Sequence, residues 1–262
     1  MPDDRRRRLD NTIAAVQRRH GPTALRRGAD AASPAVPHIA TGFAALDAIT
    51  GCGGVPLGAI TLLSGRTTSG KLTAAYKVLA NAQRDGRGHV AYTAVLLDLS
   101  RTADPDYLAR CGLDLEALLV GRPQAGPEAL ALLGDILAAR RVRAIVLDSL
   151  PELLGGRRGL GGLGANLGKL QALLRASNAA LLVLDEPQPP WLRWLNLDAG
   201  SEVRRAAALH IEMQRERWLR EGGALVGYRA QARLLKSRWV YGPRSAPVEL
   251  VFNGTVRARE TW

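Results

Sequence analysis

The segment Gly65-Arg66-Thr67-Thr68-Ser69-Gly70-Lys71-Leu72 constrains this chain more than any other. An apolar run with the length of a buried strand, Ala59 to Leu63, precedes it. Lys71 to Arg84, which follows, reads as a helix. A strand that passes through a glycine-bearing turn straight into a helix brings backbone N–H groups together at the positive end of the helix dipole. Such a turn cradles phosphate oxygens, and Lys71 is long enough to reach the outer phosphates. The other reading is a strand–helix turn that holds nothing. A loop of this kind carries a hydroxyl after its lysine to bind a magnesium ion, and here that residue is Leu72. Thr73 lies one residue on, about 100° round the helix, and is not expected to take over.

The rest of the chain alternates between strand and helix. Val90 to Leu99, Leu118 to Val120, Ala144 to Leu147 and Ala179 to Leu184 read as strands. Asp104 to Cys111, Pro127 to Arg140 and Leu163 to Arg175 read as helices. Near-continuous apolar strands separated by helices predict an α/β core, with a mainly parallel sheet covered on both faces. After about residue 205 the pattern changes. Ala206 to Gln214, Ala224 to Leu235 and Val248 to Phe252 predict an antiparallel extension, turning at Gly222-Gly223 and Gly242-Pro243. The apolar run ending in Asp148 adds a second chemical element, because an aspartate there can hold magnesium through water. Gly155–Gly164 and Pro187–Gly200 interrupt the pattern after core strands, on the side where such sheets take ligands.

Thirty-six Lys and Arg against 24 Asp and Glu give a formal charge of +12. Two explanations stand: attraction to a polyanion such as nucleic acid, or an arginine-rich genomic composition. Residues 1–28 read as a basic helical arm in which Leu9, Ile13, Val16 and Leu25 can share a face, interrupted at Gly21-Pro22. Residues 29–37 read as a linker and 38–262 as the core. Cys52 and Cys111 have no spacing that suggests a zinc site or disulfide framework. With no apolar run long enough for a bilayer and no apolar leader, a cytoplasmic protein without membrane contact is expected.

Four further segments sharpen the picture: His38–Asp47 (HIATGFAALD), Gly53–Gly58 (GGVPLG), Asp104–Arg110 (DPDYLAR) and Lys236-Ser237-Arg238. Together with the glycine loop they resemble the bacterial RecA recombinase family over nearly the whole chain. The resemblance implies a RecA-like core that takes ATP and magnesium, with an N-terminal arm for docking onto a neighbouring subunit. It implies adenine contacts from Asp104 and Tyr107. On spacing alone, an Asp104 helix cap with Tyr107 in the core is as good a reading. It implies that Lys236 and Arg238 reach a neighbour's nucleotide in a homo-oligomer, where the alternative is a solvated strand face. It also implies two DNA-binding loops, the first carrying Arg157 and Arg158. Trp191, Arg193 and Trp194 lie in the second, suited to stacking on single-stranded DNA or to a protein interface.

The departures from the family carry equal weight. Its catalytic glutamate position is Ser100 here, and a serine cannot act as the carboxylate that orients attacking water. Its polar switch position has no clean match in Asp185-Glu186-Pro187-Gln188, where Glu186 is a candidate displaced carboxylate. The family's C-terminal domain is expected to be absent. Impaired or absent ATP hydrolysis is therefore expected. The chain is similar to the ImuA-type accessory proteins of translesion synthesis, which implies a role in the DNA-damage (SOS) response. Its partner would be RecA or a polymerase-like protein. The alternative is an active DNA-dependent ATPase that catalyses strand exchange. A third reading, a clock-type or archaeal-type P-loop relative, is opposed by the arm and the Asp-Pro-x-Tyr segment.

Overall fold

The computed structural model describes residues 2–21, 24–25, 36–155, 163–187, 200–251 and 257–258. The chain divides into two compact units, residues 1–35 and 36–262. The first contains α1 (Pro2–His20). Gly21 follows with φ +94°, and its N–H reaches the Gln17 carbonyl at 2.9 Å, a left-handed stop. Leu25 therefore lies beyond the helix and off the face of Leu9, Ile13 and Val16.

The second unit opens with β1 (His38–Ile39), α2 (Ala44–Thr50) and β2 (Val55–Pro56). Next come β3 (Ile60–Ser64), α3 (Lys71–Ala82), β4 (Thr93–Asp98), α4 (Pro105–Arg110), β5 (Leu118–Gly121) and α5 (Gly126–Ala139). Then follow β6 (Val142–Asp148), α6 (Leu150–Leu153), α7 (Leu163–Ser177), β7 (Ala180–Asp185) and α8 (Ser201–Ala206). The chain finishes with β8 (Leu209–Glu221), β9 (Ala224–Ser237), β10 (Arg244–Val251) and β11 (Arg257–Ala258).

The main sheet has the order β11-β10-β9-β8-β3-β7-β6-β4-β5. The six strands from β8 to β5 are parallel, and β9, β10 and β11 add antiparallel ones. Successive strand residues alternate between two apolar layers. Leu96, Val146 and Leu182 enter the layer that contains Leu46 and Leu79, from α2 and α3. Val95, Ile145 and Leu181 enter the layer that contains Leu133 and Leu174, from α5 and α7. Both faces being buried explains why the strands read as unbroken apolar runs.

Three boundaries differ from expectation. Val90 and Tyr92 stay outside β4 and are about two-fifths exposed. The N–H groups of Ala91 and Tyr92 donate to the Gln83 carbonyl, so this stretch closes the end of α3 rather than joining the sheet. β8 runs seven residues past the expected end at Gln214. Arg215-Glu216-Arg217 are polar because this half of the ribbon is exposed, so apolar alternation could not reveal it. Gly222 and Gly223, at φ +56° and +86°, form the two-residue turn that joins β8 to β9. The short helix α8 takes in Ala206, and the strand expected from there begins at Leu209.

Register aligns the strand ends. Ser64 lies opposite Asp185, and Asp98 lies opposite Asp148. The chain leaves β3 and returns as β4 three positions away, so the carboxyl edge carries a crevice. Among the described residues no helix is long and apolar enough to cross a membrane.

Candidate phosphate-binding site

A cleft of about 480 Å³ lies at this edge, lined by the loop Arg66–Thr73 and by residues that end β6 and β7 or rise from the β8–β9 ribbon. The local sequence builds it tightly. A Cβ on Gly65 would sit 2.4 Å from the Ser69 hydroxyl and 2.5 Å from the Met213 carbonyl, so only glycine fits. Gly70 holds φ +94° and starts α3 without a side-chain cap. The first turn of α3 therefore offers its N–H groups and dipole to the cleft. Lys71 is the first helical residue. Its ammonium donates to the Gly65 carbonyl at 2.7 Å and to Glu186 Oε1 at 3.1 Å.

Asp148 ends β6 with its side chain buried. The Ser100 hydroxyl donates to its Oδ2 at 2.9 Å, and the Thr102 hydroxyl stands 3.4 Å from the same oxygen. Burial pushes the Asp148 carboxyl above the ordinary carboxylate range, and neighbouring Asp98 and Glu152 push the same way. The Ser100 hydrogen bond and Lys71 oppose this. Asp98 is fully buried and accepts from the Arg122 Nε at 3.0 Å and the Thr102 N–H at 3.0 Å.

Leu72 packs against the core layer of α2 and α3. Thr73 is also buried, and its hydroxyl lies 2.5 Å from the Tyr107 hydroxyl. Tyr107 packs at a tilt on Tyr76, with ring centroids 6.1 Å apart, and burial raises its phenol pKa. Asp104 is the N-cap of α4, accepting from the Asp106 N–H at 2.9 Å. Tyr107 lines the cleft, whereas Asp104 does not. Lys236 and Arg238 are also outside it. The Lys236 ammonium donates to the Arg205 and Arg204 carbonyls at 2.6 and 3.2 Å, closing the C-terminal end of α8. Arg238 is exposed. The DNA-contact candidates Arg157, Arg158, Trp191, Arg193 and Trp194 lie outside the described residues.

The sequence pattern matches the family model "RecA N-terminal domain" over residues 7–183. The chain belongs to the RecA family. It is 27% identical over 266 residues to Protein RecA of Acidothermus cellulolyticus, covering 95% of this chain and 76% of that protein. Against Protein RecA of Aquifex aeolicus it is 29% identical over 265 residues, covering 95% and 75%. Protein RecA of Frankia casuarinae gives 27% over 276 residues, 97% and 76%.

Within this RecA-family site, the residues fit a polyphosphate but not a magnesium ion. The loop amides and Lys71 suit phosphate oxygens. The position after Lys71 is apolar, and the hydroxyl of the next residue, Thr73, is engaged by Tyr107. Among the described residues no group of three or more His, Cys, Asp or Glu is placed to hold a metal.

Among the cleft residues that sequence reasoning missed are Glu152, Trp218 and Tyr228, and Arg215 stands beside its loop. Arg215 reaches the Thr68 hydroxyl at 3.1 Å and stacks over Trp218, 4.5 Å from its ring centre. Trp218 meets Tyr228 edge-on at 5.8 Å. The signal for Arg215 and Trp218 was an aromatic-and-arginine cluster in a strand otherwise read as ending early.

Proposed function

We propose that this RecA-family protein binds a nucleoside polyphosphate around Lys71, hydrolyses it slowly or not at all, and acts as an accessory factor in the DNA-damage response. One observation carries the reading. The Ser100 hydroxyl donates to Asp148 at 2.9 Å, in the place where hydrolysis needs a carboxylate to orient water, while the loop keeps its lysine. The coarser part, a nucleotide- and DNA-associated protein related to recombination, is supported by the family match and the +12 charge. The finer part is an ImuA-type role, with RecA or a translesion polymerase engaged through the basic arm. It takes Arg157, Arg158, Trp191, Arg193 and Trp194 as contacts to single-stranded DNA or a protein, and Lys236 and Arg238 as groups offered to a neighbouring copy.

A second reading, an active DNA-dependent recombinase, is favoured by two carboxylates that line the cleft, Glu152 and Glu186. Steady-state ATP turnover with excess single-stranded DNA separates the two. Turnover no higher than that of Lys71→Ala is expected. DNA-stimulated turnover that Lys71→Ala abolishes would refute the accessory reading and point to Glu152 or Glu186 as the working carboxylate.

A further inference from the structure

We propose that the cleft is a magnesium-independent site for a nucleoside diphosphate, in which the Glu186 carboxylate occupies on Lys71 the contact that a third phosphate would need. This rests on the nucleotide reading above and adds which nucleotide the site takes.

The argument begins with the lysine. An ammonium has three N–H donors. Two are in use, one on the Gly65 carbonyl and one on Glu186. The Lys71 side chain is only 11% exposed, while the carboxylate is about half exposed, so water screens the pair on the Glu186 side alone. One donor remains for the ligand, which suits the outer oxygen of a diphosphate. A third phosphate reaching the same ammonium would have to displace Glu186 or sit beside it.

The surroundings oppose that displacement. Glu186, Asp148 and Glu152 all line the cleft with Lys71. A third phosphate adds further negative charge to the nucleotide, and it would face three carboxylates. A divalent cation would normally neutralise that crowding. Here the hydroxyl that normally helps to hold it is missing: Leu72 stands in its place, and the Thr73 hydroxyl is held by Tyr107. The carboxylates therefore act on a third phosphate without relief. The inner phosphates meet the opposite environment, with the loop amides and the start of α3.

Glu186 is suited to this role by position. It follows the last residue of β7, and its N–H donates to Asp185 Oδ1 at 2.9 Å, which holds the backbone while the side chain crosses to Lys71. The carboxylate is about half exposed, so replacing it with glutamine does not disturb the core.

Titration calorimetry of the whole chain with ADP and with ATP, each with magnesium and with EDTA, tests the proposal on native protein, Glu186→Gln and Lys71→Ala. ADP is expected to bind with a Kd that EDTA leaves within about twofold, and ATP about tenfold more weakly, the scale of one charged contact. Glu186→Gln is expected to tighten ATP about tenfold and ADP by less. ATP binding as tight as ADP, a tenfold gain from magnesium, or equal effects of Glu186→Gln on both nucleotides would overturn the inference and leave nucleotide binding intact. Absence of binding by either nucleotide, with Lys71→Ala indistinguishable from native protein, would overturn the nucleotide reading and this inference with it. Circular dichroism of each variant establishes that the comparison is made between folded proteins.

Discussion

Replacing Arg204 with methionine tests how β7 is held next to the cleft. Asp185 ends that strand with its side chain 2% exposed, and Arg204 on α8 donates to its Oδ2 at 2.6 and 3.0 Å. The substitution keeps much of the side-chain volume and removes both donors. Removing one partner of a buried pair costs about 3–5 kcal/mol, because the remaining charge stays out of water. Asp185 keeps the Glu186 N–H bond at 2.9 Å, so the lower end, about 3 kcal/mol, is expected. For a chain of this size that lowers Tm by roughly 6–12 °C. Urea unfolding at low and at 1 M salt, with Asp185→Asn and the double variant, measures it. A coupling energy of about 2 kcal/mol that survives high salt is expected. A cost below about 1 kcal/mol, or one that vanishes in salt, would mean that the pair behaves as a surface contact and would refute the reasoning.

Gly65→Ala should destabilise the protein by about 2 kcal/mol through overpacking against Ser69 and Met213, and should weaken nucleotide binding in the calorimetric assay more than it lowers Tm; unchanged stability would show that the loop has room. His210 predicts a pH dependence. Burial first, then Arg204 and Lys236, lower its pKa from 6.5 to about 4. The unfolded chain thus binds more protons between those values, so stability present above pH 6.5 is lost as pH falls toward 4, by up to roughly 3 kcal/mol. His210 also shares a 2.9 Å hydrogen bond with the Ser64 hydroxyl. His210→Asn should flatten the stability curve in that window, and an unchanged slope would show that other groups account for it.

The α/β class was legible because strands buried on both faces must be apolar throughout, and Ile145-Val146-Leu147 is apolar throughout. The extended ribbon was not, since the exposed half of β8 owes its strand form to pairing with β9 and not to burial. The loop at Gly65 was legible for a local reason. Its glycines, its lysine and its helix start are consecutive, so their geometry follows from covalent neighbours. Leu72 and Ser100 were legible as departures for the same reason. What each remaining group does required partners distant in sequence. Tyr107 was equally an adenine platform or a core residue until its hydroxyl met Thr73, 34 positions away. Lys71 read as a phosphate ligand, but only the parallel register of β3 with β7 brings Glu186 across 115 positions to its ammonium. Short-range sterics write the loop into the sequence; the charges that face it are set by strand order, which no local pattern contains.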